Sequence, residues 1–162
     1  MVKLLGMEIS SASFAFRVIS GVVLASGAFL ILYFIPANLA RFITAYAPDA
    51  PQPALALLPS FIGPIIQVVG LALVPVIFLC ALLRGTKAYG PLTIVLSLLS
   101  AAYIYSVFHG GVISALLTDL PLGDGMLADL HIAIDLTWMM IAFLVPTILG
   151  LIKGVVLTLK KG

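Results

Sequence analysis

Charged residues are nearly missing from this sequence: 9% of it is Asp, Glu, Lys or Arg, against about 25% in a soluble globular domain. With 63% hydrophobic residues and a mean hydropathy of +1.29, the chain cannot cover itself with a water-facing surface. A soluble enzyme or soluble binding module is excluded, and the lipid bilayer becomes the partner of most side chains. The single cysteine, Cys80, excludes an intrachain disulfide and any multi-cysteine metal site. A net charge of +2, with no basic run interleaved with aromatics, offers nucleic acid nothing to bind. Low Asn, Gln and Cys suit a thermophilic source, although hydrophobic composition explains most of that scarcity. Histidine occurs only as His109 and His131.

What is present is long apolar runs. Four segments, 12–35, 59–83, 91–118 and 127–151, reach the ~20 mainly apolar residues a spanning helix needs. They predict an all-α fold, a four-helix transmembrane bundle in one domain covering 1–162. The first run is too long for the apolar core of a signal peptide, so it reads as a retained helix. Pro36, which has no N–H to donate, is expected to stop it. Beyond it Leu39, Phe42, Ile43 and Tyr46 recur at helical spacing, which predicts a short helix over 37–47 lying in the headgroup plane. Gly21, Ala25, Ser26 and Gly27 form a small-residue stripe suited to close helix packing. Pro75 and Pro146 mark kinks in the second and fourth spans.

An even number of spans puts both termini on one side. That side collects Lys3, Arg17, Arg84, Lys87, Lys153, Lys160 and Lys161, and the other holds Arg41 with Asp49, Asp119, Asp124 and Asp129. Lysine and arginine bias sets orientation, so both termini are expected in the cytoplasm, with the chain in the plasma membrane.

Residues 128–138, ADLHIAIDLTW, put His131 and Asp135 one helical turn apart inside an apparent span. Ionisable groups in hydrocarbon are costly unless paired, which makes them functional candidates. Helix rise places Gln67 roughly 12 Å, His109 roughly 13 Å and Asp135 roughly 12 Å inward from the outer ends of their spans. Three spans thus bring a polar group to one depth. Tyr105 lies one turn inward of His109, and Trp138 one turn inward of Asp135. A His109–Asp135 hydrogen bond is expected to fix the imidazole and lower the cost of both groups. Unpaired, Asp135 would stay protonated. Either arrangement suits a proton relay or a quinone pocket.

The candidate cofactor-binding set is therefore His109, His131, Asp135, Gln67, Tyr105 and Trp138. A b-type haem held by His109 and His131 is the second reading, although helix rise leaves them roughly 7 Å apart in depth. No metal-ligand spacing such as HxxxH occurs, and no nucleophile has a base beside it. The alternative is polar packing glue, worth ~0.6 kcal/mol per group.

FRVISGVVLASG (16–27), with an arginine followed by spaced glycines, resembles the first span of the DoxX/DoxD group of small four-span membrane proteins. IIQVVGLALVPVIFLCALLRGTKAYGPLTIVLS (65–97) is similar to that group's pair of spans joined by a short basic turn. Gln67 stands where an acid is usual in the group. The resemblance implies a subunit linked to quinone-dependent respiratory oxidation. A chain this small and apolar leaves little room for autonomous chemistry, so a supporting role in a larger membrane complex, or a homo-oligomer, is expected. The competing classes are a small proton-coupled transporter using His109 and Asp135, and a purely structural membrane protein.

Overall fold

The computed structural model describes residues 2–4, 7–46, 63–121 and 127–161, with 2–4, 7, 8, 115–121, 127–130 and 161 described by their backbone alone. A short antiparallel hairpin, β1 (Val2–Leu4) and β2 (Met7–Ile9), sets Lys3 opposite Glu8 and leads into the first helix. The Ser10 hydroxyl accepts the Ser13 N–H at 3.2 Å and so starts α1 (Ser11–Phe29). A π-helical turn, Leu30–Phe34, then passes into α2 (Ile35–Tyr46) without a break. After it come α3 (Pro64–Leu82) and α4 (Tyr89–Val107), joined by a tight basic turn. A single 3-10 turn, His109–Gly111, opens an antiparallel hairpin of β3 (Val112–Pro121) and β4 (Leu127–Asp135). The final helix is α5 (Thr137–Lys161).

Four helices are long and apolar enough to cross a membrane: Ser11–Tyr46, Pro64–Leu82, Tyr89–Val107 and Thr137–Lys160. The chain therefore reads as a multi-pass membrane protein built on a helical bundle. Three expected boundaries are corrected. Pro36 does not stop the first helix, which runs for 36 residues. A π-turn widens the spiral so that the Ile35 N–H serves Leu30, and the helix passes the proline. Residues 37–46 are helical as expected, but as the far end of this same helix. At ~1.5 Å per residue it measures roughly 54 Å against a hydrocarbon core of ~30 Å. Its end stands beyond that core.

The other two corrections concern the third and fourth spans. The third ends at Val107 rather than 118, and the fourth begins at Thr137 rather than 127. The apolar stretches between them form the β3–β4 hairpin, so the all-α description holds for the spans and not for this connection. The helix is broken at His109, Gly110 and Gly111, whose φ values of 50°, 75° and 105° are left-handed. The pairing then runs from Val112 opposite Asp135 to Leu116 opposite His131.

Each helix packs antiparallel on the next. On α1 and α3, Gly21 lies against Phe78, and Gly70 lies against the Leu32 backbone. The α4–α5 contact is the most extensive of the bundle. Gly90, Thr93 and Ser97 on α4 meet Gly150, Gly154 and Thr158 on α5. Spaced four apart, the α5 residues form a small-residue ridge that lets two backbones approach in lipid, where burying apolar surface supplies no drive. Thr93 and Ser97 turn their hydroxyls back to the carbonyls of Tyr89 and Thr93, at 2.7 and 2.9 Å, so no donor is stranded in the seam.

Candidate functional site

The polar layer expected in mid-membrane lies at the helix ends, on the side of the β3–β4 hairpin. Gln67 is only three residues inside the start of α3, roughly 4.5 Å along its axis. His109 lies two residues past the end of α4, and Asp135 two residues before the start of α5. Leu136 donates to the Gly111 carbonyl at 2.7 Å and ties together the helix ends that carry His109 and Asp135, while Ile66, next to Gln67, lines one recess with His109. All three expected depths were too great for one reason. The helices are shorter than the apolar runs implied, so their ends fall close to Gln67, His109 and Asp135.

Asp135 is exposed, and its carboxylate accepts the Thr137 N–H at 2.9 Å. That bond caps a free donor at the head of α5. The Thr137 hydroxyl and then its backbone N–H hold the Asp135 carboxyl below its ordinary value of 3.8. The expected protonated, lipid-buried acid is thus corrected: water and a helix cap keep it ionised. Thr137, rather than His109, is what lowers it.

The remaining candidates separate. Tyr105 and His109 line one outer recess of about 310 Å³ with Ile66 and Ser106. The Tyr105 hydroxyl lies over Gly110, where an added Cβ would stand 3.0 Å from it. Trp138 is 82% exposed beside the start of α5, a position typical of an interfacial aromatic anchor. His131 sits on β4, five residues before Leu136, roughly 16 Å along an extended strand. The hairpin carries His131 away from the helix end that holds His109, so the two-imidazole haem site loses its geometry. Among the described residues no three His, Cys, Asp or Glu side chains gather as a metal site requires.

The middle of the bundle holds what the sequence reading did not single out. Leu32, Leu73, Ile77, Ser100, Tyr103 and Phe143 line a cavity of about 430 Å³ between all four spans. That volume lies within the range of small-molecule sites, ~300–1,000 Å³. Its wall is almost wholly apolar, with polar handles at Ser100 and Tyr103. The Tyr103 hydroxyl donates to the Leu32 carbonyl at 3.2 Å, and Ser100 is the other hydroxyl-bearing residue on the wall. Pro36 was the signal available for this arrangement: a proline frees the carbonyl four residues before it, here Leu32, and a freed carbonyl in lipid demands a donor.

No protein-family description, curated protein or solved structure matches this chain.

Proposed function

We propose that this chain is a small integral-membrane subunit that holds a hydrophobic, quinone-like molecule in mid-bilayer, beside a larger catalytic partner of respiratory electron transfer. The observation that supports it is the apolar cavity of about 430 Å³ among the four spans, with Ser100 and Tyr103 on its wall. A planar ring with an aliphatic tail suits such a wall, and one hydroxyl donor is enough to orient a carbonyl. The electron-transfer half of the reading rests on the resemblance of 16–27 and 65–97 to the DoxX/DoxD group. The partner half rests on the small size and near absence of charge of the chain, which leave little room for autonomous chemistry. The basic residues Arg17, Arg84, Lys87, Lys153 and Lys160 against Arg41 alone favour a plasma-membrane topology with both termini cytoplasmic.

Purification in mild detergent, followed by organic extraction and chromatography of the extract, tests the reading. The expected result is a quinone carried with the protein and with a larger complex. A Ser100→Phe variant, which fills the cavity, is expected to lose the quinone while still joining the complex. Recovery of the native chain alone and free of quinone would sink the proposal.

A further inference from the structure

At the basic end of the bundle, far from the outer polar groups, α1, α3 and α4 line a second, open cavity of about 570 Å³. Its polar wall carries Arg17, Arg84 and Tyr89, and its apolar wall carries Leu24, Ile77 and Leu96. Arg17 lies six residues inside the start of α1, about 9 Å along the axis. One terminal nitrogen of its guanidinium is buried and has no hydrogen-bond partner among the described residues. A guanidinium nitrogen kept from water without an acceptor is costly, and two arginines on one cavity repel unless an anion lies between them. Among the described residues none that line the cavity is acidic.

The geometry points to a site for a phosphate-bearing anion, held by Arg17 and Arg84, with room for an acyl chain along Leu24, Ile77 and Leu96. Guanidinium groups pair with phosphate oxygens in a fixed fork, and basic pockets between spans at headgroup level are where phospholipids bind. The polar wall meets the phosphate while the apolar wall continues toward the bilayer centre, which is the layout of a phospholipid rather than of a wholly soluble anion. A bound lipid would also supply the counter-charge that Arg17 lacks.

Native mass spectrometry of delipidated protein, titrated with dioleoyl-phosphatidylglycerol, dioleoylglycerol or inorganic phosphate, tests the site. One phosphatidylglycerol is expected per chain, at least tenfold preferred over dioleoylglycerol, which has the same tails and no phosphate. Arg17→Gln and Arg84→Gln are each expected to weaken retention tenfold or more, and Arg41→Gln, at the opposite end, to leave it unchanged. Leu24→Trp, which obstructs the apolar wall without changing charge, is expected to release the lipid too and keeps the test open should Arg17→Gln fail to fold. Inorganic phosphate that fails to compete assigns the site to phospholipid, and phosphate that displaces the lipid assigns it to the free anion. Equal retention of the two lipids, or retention unchanged in both Arg17→Gln and Arg84→Gln, overturns the proposal.

Discussion

The hydroxyl of Tyr103 donates to the carbonyl of Leu32, 3.2 Å away and 71 positions earlier in the chain. Leu32 is the carbonyl that Pro36 cannot serve, and it lies within the π-helical turn Leu30–Phe34. Gly70 lets α3 approach that same carbonyl so closely that a Cβ there would collide with it. Pro36 in α2, Tyr103 on α4 and Gly70 on α3 thus converge on one carbonyl beside the central cavity.

Loss of the tyrosine hydroxyl is expected to be felt only while the proline is present. Tyr103→Phe should cost about 0.6–1.7 kcal/mol, the range for interhelical hydrogen bonds in lipid. Pro36→Ala restores an N–H that can serve Leu32 within an ordinary α-helix. In that background Tyr103→Phe is expected to be nearly neutral, by a double-mutant cycle in denaturing detergent. Strictly additive losses would refute the link.

Gly154 on α5 is the second place where backbones nearly touch. A Cβ there would stand 2.9 Å from the Ile94 nitrogen and 3.1 Å from the Gly90 oxygen, neither of which can move without its helix. A Cβ on Gly150 would meet only Ser97, its hydroxyl oxygen at 2.6 Å and its Cβ at 3.7 Å, and that hydroxyl can rotate away. Gly154→Ala is therefore expected to destabilise by about 1–3 kcal/mol, as overpacking does, and Gly150→Ala by clearly less. Thermal unfolding of the two variants in one detergent decides; equal effects would count against this account of the seam.

Acid should weaken the head of α5. The folded Asp135 carboxyl titrates below its ordinary value of 3.8, so its contribution is complete above that value and disappears as pH falls through the depressed folded one. Between neutral pH and strong acid, the wild-type midpoint is expected to fall further than that of Asp135→Ala. Parallel curves for the two proteins would show that the cap contributes nothing.

Proton movement is expected not to depend on the outer polar groups. Asp135 and His109 are both exposed at helix ends rather than buried along a path through the bundle. Vesicles carrying Asp135→Asn or His109→Gln should therefore match wild type in proton permeability. A marked drop in either would revive the transporter class.

Much of the architecture was legible in the sequence. Apolar runs of spanning length cannot be dissolved in water, and that constraint alone places four helices in lipid. That Gln67, His109 and Asp135 each lie toward the hairpin-side ends of their helices was legible as well. Their depth was not. Residues 130–135, LHIAID, alternate apolar and other side chains as a strand does, yet the same letters also fit a helix with His131 and Asp135 on one face.

Composition and length by themselves settled the solvent, the number of spans and the grouping of basic residues toward one end, because transfer of charge into hydrocarbon is prohibitive whatever the packing. Only the tertiary structure decided where each helix stops, that Pro36 is passed rather than obeyed, and that the acid at 135 is a hydrated cap. The physical reason is that a backbone group in lipid must find a partner, and the partners here (Tyr103 for Leu32, Gly111 for Leu136) lie on other segments of the chain.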